Sequence, residues 1–491
     1  MIQLIQNATQ YVERIAVKSN DKDYTYQQLL EASEGIALTL LDGKLSLKES
    51  RVAFLVPSGF DYVAIQWGIW RAGGIAVPLC DKHPLESIKY VIDDTKAAII
   101  VFSSAFESLL SPLRELTQVR FLASEQFSSN KGVLPDVNPN QRAMILYTSG
   151  TTGNPKGVVT THLNIEAQIT SLTTSWQWNQ NDHILNVLPL HHVHGIVNVL
   201  GCALWSGACC QFMPKFDEDD IFDVFCENEV NVFMAVPTIY YKLIARWNEL
   251  SEEIQKKISE ALKNFRLMVS GSAALPISVM ENWKYISGHN LLERYGMTEI
   301  GMAISNPYRG ERKPGHIGQP LTGVQVRLVD ENNNKIEKEA AGEIQIKGEN
   351  VFEEYWGNPV ATRDAFTIDG WFKTGDVAVV EKGSYRILGR NSVDIIKSGG
   401  YKISALEIEE ILRSHDLIKD CAVVGIPNEE WGEIIGASLI LSSNEFIIDD
   451  LNVWLKDKLP TYKLPRKYIF QENLPRNVMG KVTKNELKKM F

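Results

Sequence analysis

Twelve residues, Tyr147-Thr148-Ser149-Gly150-Thr151-Thr152-Gly153-Asn154-Pro155-Lys156-Gly157-Val158, gather hydroxyls, glycines and one lysine into a single stretch. Apolar, strand-like runs flank it, Ala143-Met144-Ile145-Leu146 before and Val158-Val159-Thr160-Thr161 after. Glycine lets backbone N–H groups turn inward and approach an anion, and hydroxyls and an ammonium add further donors. A loop built this way holds phosphates. It is not a Walker A loop, whose lysine and hydroxyl open a helix; here the lysine precedes Gly157 and more strand.

Two further strings invite a chemical reading. Leu188-Pro189-Leu190-His191-His192-Val193-His194-Gly195 places three histidines in four residues. Their spacing fits neither H-E-x-x-H nor a common zinc arrangement, so no metal centre is expected there. In Leu267-Met268-Val269-Ser270-Gly271-Ser272-Ala273-Ala274-Leu275-Pro276 a strand runs into a turn of small residues. Such a turn lets a flat ring lie on the backbone; a plain tight βα turn is the alternative. The cysteines Cys80, Cys202, Cys209, Cys210, Cys226 and Cys421 form no C-x-x-C or zinc pattern and read as reduced, mostly buried thiols in a reducing compartment.

The twelve-residue string resembles the phosphate-loop signature of the adenylate-forming superfamily: acyl-CoA synthetases, luciferases and peptide-synthetase adenylation domains. The family's other motifs follow in order, as Tyr295-Gly296-Met297-Thr298-Glu299, Thr374-Gly375-Asp376, Arg386-Ile387-Leu388-Gly389-Arg390 and Pro475-Arg476-Asn477-Val478-Met479-Gly480-Lys481. The resemblance implies that Thr148, Ser149, Gly150, Thr151, Thr152, Gly153 and Lys156 hold the phosphates of ATP. It implies that adenine lies against Gly271, Ser272, Ala273 and the ring of Tyr295. Asp376 would accept the ribose hydroxyls, with Arg390 on ribose or phosphate. The implied catalytic set is Lys481, Thr298, Glu299 and His192: Thr298 meets the α-phosphate, Glu299 holds Mg²⁺ and His192 lines the carboxylate pocket, which His194 helps to shape. One carboxylate suffices for Mg²⁺, which takes its other ligands from phosphate and water. Gly399, Gly400, Tyr401 and Lys402 would border a channel for coenzyme A. One departure stands out: Asp394 comes four positions after Arg390, later than in many members, so the pivot between domains falls at Asn391, Ser392 or Val393.

A long fatty acid needs an apolar tunnel, whereas a short dicarboxylate needs a fixed cation for its second carboxylate. Arg294, beside Tyr295, is the candidate, because a planar guanidinium suits a carboxylate bidentately. Pairing of Arg294 with Glu293 or another acid is the alternative. Arg309 and Arg312 are weaker candidates, since Gly310 and Pro314 suggest an exposed loop. The strings Leu190–Gly195, Met268–Pro276, Leu292–Glu299, Ser305–Tyr308 and Ser392–Lys397 resemble malonyl-CoA synthetases in particular. The implied reaction converts a short dicarboxylate, malonate or methylmalonate, with ATP to an acyl-AMP and then an acyl-CoA. A short- or medium-chain fatty acyl-CoA synthetase, or an adenylation module that loads a carrier protein, are the alternatives.

These residues need a large scaffold, and 491 residues imply more than one domain. Hydrophobic content of 44% and charged content of 22% are those of a globular protein, and the net charge of −10 argues against a nucleic-acid partner. Thr25 caps a helix. Arg51–Val56, Ile75–Leu79 and Ala97–Phe102 read as strands; Tyr62–Ala72 reads as an amphipathic helix and Glu86–Asp94 as a helix. This alternation predicts an α/β fold with a parallel sheet. The uncharged run Gly195–Met213, broken by glycines, reads as a buried helix and strand rather than a membrane span. After Arg390 the composition shifts to a smaller α/β unit. The expected division is a large N-terminal domain at 1–389, a hinge at 390–393 and a small mobile domain at 394–491. The N-terminus shows neither signal-peptide nor transit-peptide character, and a cytoplasmic location is expected.

Overall fold

Alternation along the strands sets the layering. Strand Arg51–Leu55 turns Val52 and Phe54 to one side and Ala53 and Leu55 to the other. The first pair joins a core shared with helices Phe60–Arg71 and His162–Ser175; the second joins a smaller core beneath helix Leu85–Thr95. Strand Val232–Ala235 splits likewise, Val232 and Met234 joining the shared core while Phe233 and Ala235 pack under helices Glu218–Cys226 and Pro237–Glu249. Two sheets therefore enclose a middle layer of helices, and each carries an outer helical layer.

The computed structural model describes residues 2–491 apart from 117–118, 128–130, 149–154, 214, 338, 400, 443–445 and 477–481; at 115, 116 and 402 it describes the backbone alone. Among the described residues the strands form four sheets. The nine-stranded sheet has a parallel centre, with His183–Asn186 between Val232–Ala235 and Cys209–Phe212, and Leu267–Ser270 and Leu292–Met297 following outward. Gly301–Ser305 extends it antiparallel. The seven-stranded sheet is parallel through Arg120–Ala123, Ile99–Phe102, Arg51–Leu55, Ile75–Pro78 and Arg142–Thr148, then antiparallel through Lys156–Thr161 and Glu354–Tyr355. The α/β expectation holds, with two parallel-centred sheets in place of one.

Helix Phe60–Arg71 corrects the amphipathic reading, because every residue from Tyr62 to Trp70 is buried. It lies in the middle layer, where no side faces water, so a polar stripe has no use. Helix Tyr26–Leu41 packs against it and opens with the expected Thr25 cap, closed reciprocally by Gln28. The uncharged run folds as expected into buried structure, π-helical from His194 to Gly201, then helix Cys202–Trp205 and strand Cys209–Phe212. Among the described residues no helix is long and apolar enough to cross a membrane.

A four-stranded antiparallel sheet, Gln325–Val329, Gly342–Lys347, Phe372–Glu381 and Ser384–Arg390, follows. Beyond it the chain builds a five-stranded sheet around the pair Ile418–Asn428 and Gly432–Leu441. Helices Ala405–Arg413 and Ile448–Lys456 cover this sheet, and its apolar clusters draw only on residues after Asp394.

Candidate active site

The site grows from strand ends. Thr148 closes one strand and Lys156 opens the next, and the two are paired across the hairpin, with the Thr148 hydroxyl 3.5 Å from the Lys156 carbonyl. The hairpin thus grips both ends of the glycine-rich segment. Ser149, Gly150, Thr151, Thr152 and Gly153 lie outside the described residues.

Next to that hairpin, strand Glu354–Tyr355 pairs Tyr355 with Val158. The Lys156 ammonium sits 4.9 Å from the Tyr355 ring centroid, and the Tyr355 hydroxyl donates to Glu299 Oε1 at 2.9 Å. Glu299 occupies the turn between Leu292–Met297 and Gly301–Ser305 and is buried. Burial raises its carboxyl above the usual range, while Tyr355, Arg390 and Lys156 oppose that rise. Thr298, half-buried, precedes it in the same turn. Across the cleft, Asp376 accepts from the Tyr295 hydroxyl at 2.6 Å and from Arg390 Nε at 3.0 Å, one bond to each oxygen. A carboxylate has about four lone-pair sites, so each oxygen retains an acceptor position for a diol. Lys156, Tyr355, Glu299, Arg390, Asp376 and Tyr295 are thereby brought into one group of alternating charge.

A second group gathers around Arg294. Strand alternation sends the neighbours Glu293 and Arg294 to opposite sides. Glu293 Oε1 accepts from the Leu275 N–H at 3.1 Å under the outer helices. Arg294 turns the other way, against the backbone of Gly271. A β-carbon at Gly271 would lie 2.4 to 2.6 Å from Cζ, Nε and Nη1 of that guanidinium. Glycine is needed there for room. Arg294 is buried, and among the described residues its Nε and Nη2 find no acceptor, so the alternative of an ion pair with a protein acid is not realised. Burial pulls the guanidinium down to about 9, opposed by the charge of Glu293. An unpaired buried cation is costly, and a carboxylate ligand would remove that cost.

His194 Nδ1 lies 3.1 Å from the Ser272 hydroxyl, and Ser272 holds a left-handed backbone at φ 69°. Burial, with Arg294 and His192 adding to it, pushes His194 well below the ordinary range, so the ring is neutral. The His192 ring lies tilted against that of His191, with centroids 4.1 Å apart. Ala273 is exposed at the tip of the same turn. His192, His194, Ser272, Gly271 and Arg294 therefore form a second group of neighbours.

The remaining expected residues stand apart from these. Gly399, at φ 56°, packs against Trp431, while Tyr401 is exposed and stacks on Tyr462 at 4.4 Å. Gly400 and Lys481 lie outside the described residues. For Lys402 only the backbone is described. The flanks of Lys481 are anchored by ion pairs, Arg476 to Asp420 at 2.5 Å and Lys484 to Asp394 and Glu409 at 2.6 Å each. Arg312 is spent on the carbonyls of Pro307, Tyr308 and Asn290, which removes it as a carboxylate contact, and Arg309 lies over Tyr308. Tyr355 was missed. Its only local signal is the aromatic pair Tyr355-Trp356 before Gly357, and its partner Glu299 is distant in sequence.

The cleft suits a nucleotide and a hard cation. Among the described residues no three His, Cys, Asp or Glu side chains converge as a metal cage. The buried carboxylate of Glu299, within the field of Lys156, fits Mg²⁺ shared with phosphate and water.

Residues 4–356 match the family described as AMP-binding enzyme, and residues 407–481 match its C-terminal domain. The mitochondrial malonate–CoA ligase ACSF3 of Homo sapiens is 43% identical, with 99% of this chain and 91% of that protein covered. The malonate–CoA ligase of Arabidopsis thaliana is 38% identical over 98% of this chain and 87% of that protein. Among solved structures, ATP-bound MatB from Rhodopseudomonas palustris superimposes with a TM-score of 0.91 at 30% identity, covering 100% of this chain and 98% of that one. The apo form of the same protein gives 0.82 at the same identity and the same coverage of both chains. Since the family match spans most of the chain and the relatives align over nearly all of it, this chain belongs to the AMP-binding enzyme family and stands within it beside the malonate–CoA ligases.

Proposed function

We propose that this chain is an ATP-dependent malonate–CoA ligase, which forms malonyl-AMP with release of pyrophosphate and then transfers the acyl group to the thiol of coenzyme A. One observation carries the choice of acid: the buried Arg294 guanidinium has no acceptor on its Nε or Nη2 among the described residues and lies beside neutral His194. A monocarboxylic fatty acid would leave that cation unpaired. A dicarboxylate satisfies it with its second carboxylate, and methylmalonate, with one added methyl, is the expected second substrate.

A carboxylate is a poor electrophile, and AMP supplies the leaving group that a thiol can displace. Attack of one anion on another needs alignment and charge neutralisation. In the proposed roles Lys156 and the glycine-rich segment, Thr148 to Gly153, hold the phosphates, with Thr298 on the α-phosphate. Asp376 and Arg390 hold the ribose, and Tyr295 with the 271–273 turn frames adenine. Mg²⁺ held on Glu299 would supply further positive charge. His192 lines the acid pocket, and Lys481 neutralises the developing charge in the adenylation step.

The proposed division places a large domain at 1–389, a hinge at 390–393 and a mobile domain at 394–491, supported by the separate sheet and cores of the last segment. Its movement would bring the Gly399–Lys402 hairpin to the coenzyme A channel after pyrophosphate leaves. The cytoplasm is the proposed location, supported by six unbridged and mostly buried cysteines; fractionation of cells expressing the tagged chain tests it.

The experiment is AMP release with ATP, Mg²⁺ and coenzyme A across malonate, methylmalonate, succinate, acetate and octanoate, for wild type and Arg294→Ala. Malonate is expected to lead, and Arg294→Ala to lower kcat/KM for malonate at least tenfold, in keeping with loss of a charge-assisted pair. Octanoate leading in both proteins would overturn the choice of acid and leave the adenylation chemistry standing.

A further inference from the structure

Helix Ile277–Ser287 begins directly after the turn that carries Gly271, Ser272 and Ala273. Its N-cap position is Pro276, which offers no side-chain acceptor. The first N–H groups of a helix have no partner within it, and the helix end favours a negative charge. Here the missing acceptor comes from the other end of the chain. Ile277 N–H donates to Glu410 Oε1 at 3.0 Å, and Glu410 belongs to helix Ala405–Arg413 of the small unit.

The same turn is held from beneath by Glu293, which accepts from Leu275 N–H and whose Oε2 has no partner among the described residues. The turn that positions Arg294 through Gly271 is thus fixed by two glutamate side chains, one from each unit. Other hydrogen bonds between the units lie at their junction among the described residues, as when Ser404 Oγ donates to the Leu388 carbonyl at 2.5 Å. A contact at the junction survives a rotation about it more easily than one reaching to residue 277. The whole chain superimposes better on the ATP-bound form of MatB than on its apo form, at TM-scores of 0.91 and 0.82.

We infer that Glu410 is a positioning residue for the adenylation half-reaction: by capping helix Ile277–Ser287 from the small unit, it docks that unit over the substrate turn. The inference rests on the proposed ligase function with two half-reactions. It assigns Glu410 no contact with substrate; the residue acts through the Ile277 N–H.

The test uses the full chain and three variants, Glu410→Ala, Glu410→Gln and Ile277→Pro. Proline is tolerated at the first helical position and removes the N–H that donates to Glu410, along with the half-buried Ile277 side chain. Two rates are read: malonate-dependent exchange of pyrophosphate into ATP, and thioester formation from synthetic malonyl-AMP and coenzyme A. Glu410→Ala and Ile277→Pro are each expected to lower kcat for exchange about tenfold, with KM for malonate and ATP little changed. Thioester formation should hold at the wild-type rate or rise. Glu410→Gln, which keeps an acceptor, should recover part of the loss, and the double variant Glu410→Ala with Ile277→Pro should be no worse than either single one. Equal loss of both half-reactions, additive losses or unchanged exchange would each overturn the inference while wild-type exchange upholds the ligase function. Absence of exchange in the wild type with any acid would overturn both.

Discussion

At Gly271 the space for a β-carbon is already filled by the Arg294 guanidinium. The flexible end of an arginine gives way more easily than backbone, so Gly271→Ala should fold and instead displace the cation. We expect a rise in KM for malonate of about tenfold, exceeding any rise in KM for ATP. The reverse order would make the glycine a nucleotide contact first. Single residues of this kind were only partly legible in the sequence. Arg294 stood out because it neighbours a recognisable aromatic, but that it pairs with no acid among the described residues required the strand to turn Glu293 away. Tyr355 has no recognisable spacing at all. Its role exists only because its strand pairs with the one carrying Val158 and so meets Glu299.

Among the elements, helix Phe60–Arg71 shows where local pattern misleads. Asp61, Gln66 and Arg71 interrupt an apolar run and suggest a wetted face, whereas two sheets close over the helix and bury Gln66 with the rest. Its contact with helix Tyr26–Leu41 is close enough that a β-carbon at Gly68 would lie 2.5 Å from Ile36 Cγ2 and 3.2 Å from the Ser33 carbonyl. Gly68→Ala should destabilise by about 1–3 kcal/mol through overpacking. A lower melting temperature with an unaltered kcat per folded molecule is the expected reading, and an unshifted melting curve would show that the helices can separate. Strands and caps were easier to read, because β-branched runs and Thr-x-x-Gln act over a few residues.

In the whole molecule, Glu293 and Glu410 place two carboxyl groups of different units around one turn. Burial raises the Glu293 carboxyl to about 8, opposed by the Leu275 N–H and by Arg294 on its own strand, while Glu410 across the boundary adds to the rise. In the unfolded chain this group ionises near its ordinary 4.5. Between those values folding takes up a proton, so its contribution to stability falls as pH rises through that window and levels off above it. Glu293→Gln should therefore match wild type near pH 4.5 and exceed it by on the order of a few kcal/mol at pH 8. Melting temperatures taken between pH 5 and 9 decide this, and parallel curves would remove Glu293 as the titrating group. The strand Leu292–Met297 and the turn after it have another consequence. In the proposed roles, Arg294, Tyr295, Thr298 and Glu299 would put the grip on the acid and the grip on the nucleotide into one short segment. An engineer who swaps that segment to change the accepted acid would disturb the fuel site with it. Acid preference would be more freely retuned at His194, which lies on a separate segment and has no proposed nucleotide contact.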